Sequence, residues 1–259
     1  MPEVVGHKPG SFCWIELMAA DQDGAKKFYT QLFGWTFEDS PMGDGTSYTM
    51  LMLRGKNVGA LYQRGKQQQQ TPPHWNCYVA VSDADEAARK VAALGGRTLM
   101  EPFDVFDVGR MTVLQDPTGA MLSLWQGKKH VGAGIINEPG SACWAELGTT
   151  NEATAGKFYS SLFGWSTKEL PINPPYTVFN NAGTDIGGMY RLTPQMEGVP
   201  PHWLPYIQVE DCDAITSKAK SLGGSAVLPP TDIPGTGRFA YLKDPQGAMF
   251  AVIKLLPRP

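Results

Sequence analysis

At 259 residues the chain is long for one domain and comfortable for two, and its net charge is only −3. Its Lys and Arg residues are scattered rather than clustered, which argues against nucleic acid and acidic membrane surfaces as partners. No apolar run approaches the length of a membrane span, and the N-terminal MPEVVGHKPG lacks the apolar core of a secretory signal, so we expect a soluble, cytoplasmic protein.

The N-terminal quarter predicts one strand, one helix and three further strands. The strand Cys13–Met18 alternates, with Trp14 and Glu16 on one face. Asp21 is suited to cap the following helix, in which apolar residues recur at helical spacing, and Gly34 is suited to end it. Short strands then follow at Trp35–Glu38, Tyr48–Leu53 and Asn57–Tyr62. The predicted order is β-α-β-β-β.

The next segment predicts the same order of elements after a polar loop. Arg64–Thr71 (RGKQQQQT) is low in complexity and is predicted to be solvated. A strand at Trp75–Val81 precedes a helix at Asp83–Leu94, which Gly95 and Gly96 end. Three more strands are predicted at Arg97–Pro102, Gly109–Gln115 and Ala120–Trp125. The last two of them are joined by DPTG, a type I turn sequence.

Both units occur twice. Gly10–Trp35 aligns without a gap with Gly140–Trp165 when the sequence is moved by 130 positions. From Pro72 onwards the matching offset is 128, with PPHW, LGG, GR and DPxGAM all repeated, so we assign a loss of two residues to the loop Arg64–Thr71. A repeat of this length determines the architecture, because each copy forms the same supersecondary unit.

These patterns predict an α+β fold with four βαβββ units in two tandem modules, residues 1–130 and residues 131–259. The Gly-rich stretch Gln126–Pro139 lacks periodicity and is predicted to be the linker. Helices are expected to cover one face of each curved sheet, which leaves a concave face, or cup, for a ligand. Two points stay open: which units pair to close a cup, and whether the protein is a monomer of two pseudo-symmetric modules or a homodimer.

Two motifs recur in both modules. The first, AxxFYxxLFGW, stands at Ala25–Trp35 and Ala155–Trp165. The second combines GG, PxD, GR and DPxGA and extends over residues 95–125 and 223–253. In these motifs the chain resembles the vicinal oxygen chelate superfamily of glyoxalase I, bleomycin resistance proteins and extradiol dioxygenases. It is most similar to tandem two-module actinobacterial members, which are often labelled glyoxalases or hydroxylases.

Catalytic members of this superfamily usually bind a divalent metal, and the resemblance places the ligands on the first and last strands of each unit. Counted from the FY and GG anchors, these positions are Trp14, about Ala60, Asn76 and Ser123 in the first module, and Trp144, about Gly188, Leu204 and Ala251 in the second. None is a carboxylate or an imidazole, and an isolated Asn or Ser makes a poor site. We therefore expect no metal and no other cofactor.

Glu16 and Glu146 are equivalent carboxylates that are expected to face the two cups. A buried carboxylate has a raised pKa and could act as a general base. Alternatively, each could pair with Arg110 or Arg238, or with backbone amides, and hold the fold together. We favour the structural role slightly, because the repeat shows only that both modules tolerate Glu at this position.

Arg110 and Arg238 follow a glycine at the start of a predicted strand in each module. They could clamp a carboxylate or enolate oxygen of a substrate, as catalytic electrophiles. They could equally pair with Asp104 and Asp232, which lie six residues upstream in both modules. Both alternatives stay open.

Histidines occur in two kinds of position. His74 and His202, in the repeated PPHW, could bind a ligand or shuttle a proton, but their place after two prolines favours a rim position with a structural hydrogen bond. His7 and His130 have no repeat partner, so we assign them no role.

The other residues expected to line the cups are mostly aromatic. They are Trp14, Asn76, Tyr78, Ser123 and Trp125 in the first cup, and Trp144 and Tyr206 in the second. A mostly apolar cleft with a few polar groups suits a small planar ligand. The same side chains could instead simply fill the cups.

The preferred hypothesis is a binder of a small, partly aromatic molecule that works without the usual metal. The alternative is a glyoxalase-like enzyme, a lyase, isomerase or hydroxylase, that uses a cup carboxylate as general base and an arginine as electrophile. A third hypothesis, an interaction protein that uses Arg64–Thr71, has the weakest support.

Overall fold

The computed structural model describes residues 4–43 and 45–257, which form two eight-stranded mixed sheets and four α-helices. The first module comprises β1 (Phe12–Ala19), α1 (Gln22–Phe33), β2 (Thr36–Pro41), β3 (Ser47–Leu53), β4 (Lys56–Gln63), β5 (His74–Ala80), α2 (Ala84–Ala93), β6 (Arg97–Val105), β7 (Gly109–Gln115) and β8 (Met121–Gly127). The second comprises β9 (Ala142–Thr149), α3 (Glu152–Phe163), β10 (Ser166–Leu170), β11 (Tyr176–Asn181), β12 (Thr184–Arg191), β13 (His202–Gln208), α4 (Cys212–Ser221), β14 (Ser225–Ile233), β15 (Gly237–Lys243) and β16 (Met249–Leu255). The predicted α+β fold of four βαβββ units is confirmed.

Each sheet is formed by the two units of one module. The first sheet has the strand order β2-β3-β4-β1-β5-β8-β7-β6, and the second repeats it as β10-β11-β12-β9-β13-β16-β15-β14. The first strands of the two units, β1 and β5, lie side by side and antiparallel at the centre. The strand order therefore answers the open question of pairing, because unit one closes a sheet with unit two and unit three with unit four.

The helix α1 begins and ends where the sequence predicts. Asp21 is its N-cap and accepts a hydrogen bond from the Gly24 amide at 3.1 Å. Gly34 ends the helix with a φ of 72°, in the left-handed region that a glycine adopts without steric cost. The buried face of α1 carries Phe28 and Tyr29, the FY of the first motif.

This buried face packs against the other module as well as against its own sheet. Phe28 lies 6.4 Å from the Phe250 ring of β16, and the Tyr29 hydroxyl donates to Asp244 at 3.1 Å. In the equivalent contact made by the second module, the Tyr159 hydroxyl of α3 donates to Asp116 at 2.9 Å. The FY and DPxGA motifs thus hold the two modules together.

The tryptophans that end the first motif make a second reciprocal contact between modules. Trp35 Nε1 donates to the carbonyl oxygen of Gly140, and Trp165 Nε1 donates to that of Gly10, both at 2.7 Å. Both indole rings are buried, so each hydrogen bond replaces one that water would otherwise make. The duplicated segment is therefore a core and interface element.

The structure corrects the position of the two-residue deletion. Glu16 pairs with Ala60 and Glu146 pairs with Gly188, so the offset between the modules is already 128 at β4 and β12. The deletion lies in the turn between the second and third strands, not in Arg64–Thr71. That loop is mostly exposed, as predicted, and contains one short 3₁₀ turn.

The predicted linker Gln126–Pro139 is only partly correct. Gln126 and Gly127 belong to β8, and the following residues pack over the first cup instead of spanning solvent. None of the described helices is long and apolar enough to cross a membrane.

Candidate functional site

The concave face of each sheet carries the side chains that were predicted to line it. In cup 1, the concave face of the first sheet, Trp14, Tyr78 and Trp125 are buried in one cluster with Tyr48 and Met111. In cup 2, the concave face of the second sheet, Tyr206 and Ile253 are buried in one cluster with Trp144, Phe239 and Tyr241. The structure therefore brings the predicted aromatic residues together in two separate sites.

Glu16 lies on the concave face of β1 and is only 8% exposed. The hydroxyl of Tyr48 donates to its Oε1 atom and the hydroxyl of Tyr78 to its Oε2 atom, both at 2.7 Å. Burial raises the pKa of the carboxyl group, and the two phenol hydrogen bonds offset part of that rise. Glu16 therefore lies on the same face of the sheet as Trp14 and Tyr78, where strand alternation places it.

Glu146 occupies the equivalent position in cup 2 and is 5% exposed. The Tyr206 hydroxyl donates to Glu146 Oε2 at 2.9 Å, Tyr241 donates to the same atom, and Tyr176 makes a third phenol contact. Burial again raises the pKa of the carboxyl group, while these three phenols lower it. Each cup therefore holds one desolvated carboxylate surrounded by phenol donors.

An indole extends the hydrogen-bonded chain in both cups. Trp144 Nε1 donates to the Tyr176 hydroxyl at 3.0 Å, and the Trp14 indole contacts Tyr48 in the same way. Burial and then the charge of the nearby glutamate raise the pKa of Tyr48 and of Tyr176, so both phenols stay protonated and keep donating. The shared arrangement is a Trp–Tyr–Glu–Tyr chain.

Two polar residues that were predicted to line cup 1 lie on strands next to this chain. Asn76 lies opposite Glu16 on β5 and contacts the Tyr62 hydroxyl. Ser123 lies beside Tyr78 on β8 and is buried. Both are cross-strand neighbours of residues in the hydrogen-bonded chain, Asn76 of Glu16 and Ser123 of Tyr78.

Arg110 and Arg238 are not part of either cup, which corrects their assignment as oxygen clamps. Arg110 Nε and Nη2 bind the Asp85 carboxylate of α2 at 2.7 and 2.8 Å, and Nη1 lies 3.5 Å from Asp104. The adjacent Met111 faces cup 1, so Arg110 extends from the opposite face of β7.

The second arginine repeats this arrangement. Arg238 binds Asp213 of α4 at 2.7 and 2.9 Å and Asp232 at 3.0 Å. The ion-pair alternative matches the structure in both modules. The expected pairing of Glu16 and Glu146 with these arginines is wrong, since tyrosine hydroxyls surround both carboxylates.

His74 and His202 begin β5 and β13 and turn back on the preceding prolines. Their Nδ1 atoms lie 2.9 and 2.8 Å from the carbonyl oxygens of Pro72 and Pro200. Burial lowers the pKa of His202. These contacts match the structural hydrogen bond that was the alternative to ligand binding.

Cup 1 is covered by residues 128–136, which we call the cover segment. Its Ala133 amide donates to the Cys13 carbonyl and its Gly134 amide to the Asn57 carbonyl, both at 2.8 Å. Trp125 Nε1 donates to the His130 carbonyl at 2.8 Å. As a result Trp14 is only 6% exposed, whereas its equivalent Trp144 in cup 2 is half-buried.

Two histidines that had no predicted role lie on this cover. The His130 ring meets Trp14 edge to face, with ring centres 4.7 Å apart. His7 Nε2 lies 2.9 Å from the Ala133 carbonyl oxygen. The N-terminal arm and the cover segment therefore close cup 1 together.

The residues at the superfamily's metal positions do not fit a divalent ion. Asn76 and Ser123 supply the only side-chain oxygens among the four positions of cup 1, and the four of cup 2 supply none. Throughout residues 4–43 and 45–257, no group of three or more His, Cys, Asp or Glu side chains is arranged to hold a metal. The carboxylates of the cups are instead engaged by tyrosines.

The tyrosines Tyr48, Tyr176 and Tyr241 were missed by the sequence analysis. With the deletion placed correctly, the sequence aligns Tyr48 with Tyr176 at the start of the third strand of each module. With an offset of 130 the two tyrosines do not align, so the sequence analysis did not recognise that each module has a tyrosine at this position. Tyr241 has no such pattern, because its equivalent in cup 1 is Val113.

Two proteins of related sequence align with all or nearly all of the chain. The protein named "Putative glyoxylase CFP32" of Mycobacterium tuberculosis (strain CDC 1551 / Oshkosh) is 42% identical over 262 residues, with 100% of both chains covered. The anthracycline biosynthesis protein DnrV of Streptomyces peucetius is 35% identical, with 95% of this chain and 94% of the relative covered.

Solved structures show the same fold at low sequence identity. The Mn(II)-bound glyoxalase from Novosphingobium aromaticivorans has a TM-score of 0.68 at 15% identity, covering 96% of this chain and 83% of its own. The 2,3-dioxygenase LapB from Pseudomonas sp. KL28 has a TM-score of 0.64 at 14% identity, covering 100% and 95%. The model of one protein family matches residues 11–124 and again residues 136–252. The chain belongs to the glyoxalase/bleomycin resistance protein/dioxygenase superfamily.

Proposed function

We propose that the protein binds a small, hydroxylated aromatic molecule in a cup, without the divalent metal that its superfamily usually employs. The observation that carries this proposal is the buried Glu146, ringed by the hydroxyls of Tyr206 and Tyr241 beside the half-buried Trp144. An aromatic wall with a few convergent polar groups suits a flat ligand that carries hydroxyl groups. A phenol hydroxyl of the ligand can join the phenols that already donate to the carboxylate.

The name of one relative favours the same ligand class, and the name of another does not. DnrV is named for anthracycline biosynthesis, and anthracyclines contain fused aromatic rings that carry hydroxyl groups. The mycobacterial relative carries a glyoxylase name, which points instead to small carbonyl compounds. We favour the aromatic ligand because the polar groups of the cups are embedded among Trp, Tyr and Phe side chains.

Thermal unfolding in the presence of alizarin (1,2-dihydroxyanthraquinone) tests the proposal. We expect the midpoint of unfolding to rise with alizarin concentration, because a ligand that binds only the folded state stabilises it. Anthraquinone, which has the same rings without hydroxyls, is the matched control and should stabilise less. The proposal fails if neither alizarin nor any other planar phenol shifts the midpoint, or if EDTA abolishes binding and Mn²⁺ restores it.

A second candidate is a metal-independent enzyme that abstracts a proton next to a substrate carbonyl. The observation in its favour is the burial of Glu146, because burial raises the pKa of its carboxyl group and makes it a stronger base than an exposed glutamate once it is ionised. A panel of methylglyoxal–thiol adducts and hydroxyquinones provides the test. Turnover should survive chelators and be lost in Glu146→Gln, whereas loss of turnover in EDTA would contradict the role.

A further inference from the structure

The helices α1 and α3 are repeat equivalents, but the space between each helix and its neighbouring strands is occupied differently. We call these two spaces the α1 groove, against β2 and β3, and the α3 groove, against β10, β11 and β12. In the α1 groove the Lys26 side chain is only 13% exposed, and its Nζ atom lies 3.0 Å from Asp23 and 3.1 Å from Asp39. The same atom lies 5.1 Å from the centre of the Phe37 ring. An ammonium group and an aromatic ring of the chain itself therefore occupy this groove.

The α3 groove is a cavity of about 670 Å³, a volume in the range of small-molecule sites. Gly156 stands at the position of Lys26. Thr167 stands at the position of Phe37, so the α3 groove lacks both the ammonium and the ring of its counterpart. Met189 lines the cavity and belongs to the core beneath α3, so the groove lies on the face of the sheet opposite to cup 2.

The acceptors that engage the Lys26 ammonium have counterparts in the α3 groove. In the α1 groove the Thr49 hydroxyl donates to one carboxylate oxygen of Asp39, on the adjacent strand, and the ammonium binds the other oxygen. In the α3 groove Glu169 and Thr177 stand at the two equivalent positions and pair across the strands in the same way. The second module therefore retains the kind of acceptor that holds an ammonium in the first.

Glu152 adds a second carboxylate to the α3 groove. Burial raises the pKa of Glu152, the charge of Arg191 lowers it, and the charge of Glu169 raises it, which places the three groups near one another. Arg191 and Lys157 also line the groove, but both are exposed. Among the described residues, neither Glu152 nor Glu169 forms an ion pair. The groove thus presents carboxylates to a space that a lysine ammonium occupies in the other module.

We propose that the α3 groove binds a small molecule in which a short linker joins a primary ammonium group to an aromatic ring. The ammonium takes the position that the Lys26 Nζ atom has in the α1 groove and donates to Glu169, as a charge-assisted hydrogen bond. The ring lies over Thr167, where the first module has Phe37. This site is separate from both cups, and it does not depend on the function proposed for them.

Titration of the full-length chain with phenethylamine, followed through the amide signals of its NMR spectrum, tests the site. The two-carbon linker of this amine holds the ammonium and the ring at a separation similar to that between Lys26 and Phe37. We expect saturable shifts of the Gly156 and Thr177 amide signals, without shifts at Trp14 or Trp144. Phenethyl alcohol, which has the same shape without the charge, should bind about fivefold more weakly or worse. Added salt should weaken binding of the amine.

Gly156→Lys supplies the side chain that occupies the α1 groove. A Cβ atom there would lie 3.2 Å from Met189 Cε, the end of a flexible side chain, and lysine is favoured over glycine inside a helix, so we expect the variant to fold. Its dissociation constant for phenethylamine should rise more than about tenfold, because the groove is then filled. Gly156→Ala is the matched control, since it improves helix propensity without supplying an ammonium. Its dissociation constant should stay within about threefold of the wild-type value.

A second pair of variants tests the acceptor itself. Glu169→Gln should raise the dissociation constant about fivefold or more, because the ammonium loses its charged acceptor. Asp39→Asn makes the equivalent change in the α1 groove and should leave the dissociation constant unchanged. Absence of saturable shifts, shifts confined to the cups, or unchanged binding in both Gly156→Lys and Glu169→Gln would overturn the inference. None of these outcomes bears on the binding of alizarin, which tests the proposed function separately.

Discussion

Cup 1 and cup 2 show how two copies of one fold can diverge while each keeps the same buried carboxylate. Glu16 and Glu146 are both desolvated and both surrounded by tyrosine hydroxyls. Cup 1 has two tryptophans beneath the cover segment, whereas cup 2 has an additional tyrosine and a half-buried Trp144. The carboxylate–phenol chain therefore belongs to the common framework, whereas in cup 1 a segment outside the aligned repeats buries the tryptophan next to it.

The largest expected effect comes from Gly132→Ala in the cover segment. Gly132 has a φ of 115°, and a Cβ atom there would lie 2.5 Å from the Cys13 carbonyl oxygen. We expect a loss of about 3 kcal/mol in unfolding free energy, or detachment of the cover segment at a smaller cost. Chemical denaturation measures the first result, and hydroxyl-radical labelling of Trp14 measures the second.

Gly235→Ala is the matched control, because Gly235 also has a positive φ, 73°, but a Cβ atom there would meet no other atom within 4 Å. It should cost about 1 kcal/mol through backbone strain alone. Equal effects of the two substitutions would mean that the cover segment is not tightly docked on cup 1.

The next largest effect concerns the additional tyrosine of cup 2, which should make that cup less sensitive to the loss of one phenol donor than cup 1. Tyr48→Phe leaves Glu16 with Tyr78 as its remaining phenol donor, so we expect a loss of about 2 kcal/mol. Tyr241→Phe leaves Glu146 with Tyr206 and Tyr176, so a loss of about 1 kcal/mol is expected. Urea denaturation of both variants at neutral pH gives the comparison. A larger loss of unfolding free energy in Tyr241→Phe than in Tyr48→Phe would contradict the expectation that cup 2 tolerates the loss of one phenol better than cup 1.

The fold could be predicted because its determinants are local and repeated. The cap Asp21 and the terminator Gly34 act within one helix, and the FY and DPxGA motifs lie at fixed spacing in both modules. Their actual partners lie in the opposite module, as in Tyr29 and Asp244, yet the fold follows without knowledge of that contact. Periodicity and turn chemistry therefore sufficed for the order of the elements, whereas the pairing of the units became clear only from the structure.

The site was only partly predictable, because it depends on strand register and on a segment without periodicity. The position of Glu16 follows from alternation on a strand, but its partner Tyr48 lies on a strand that was aligned with the wrong offset. A register error of this kind conceals every cross-strand contact. His130 reaches Trp14 through tertiary packing of a Gly-rich segment, for which no local pattern exists.

The smallest expected effect is a loosening of the cover on cup 1 in mild acid. Burial lowers the pKa of both His7 and His130, and for His130 the proximity of His7 lowers it further. The other charged groups of the cover, Lys128 and Lys129, pair with Asp104 and Asp107 at the exposed edge. His130 lies against the Trp14 ring and His7 against the Ala133 carbonyl oxygen, and because the effect of burial outweighs that one hydrogen bond, proton uptake favours the open form.

The sign follows from linkage: a histidine with a lowered folded-state pKa takes up protons less readily in the folded state, so its contribution to stability falls as the pH drops below about 6.5. Amide-exchange protection of Ala133 and Gly134 should decrease between pH 7.5 and pH 5.5. In the double variant His7→Gln/His130→Gln it should stay constant across that range, and cup 1 should then remain covered. Equal pH dependence in the variant and the wild type would show that other groups control the cover.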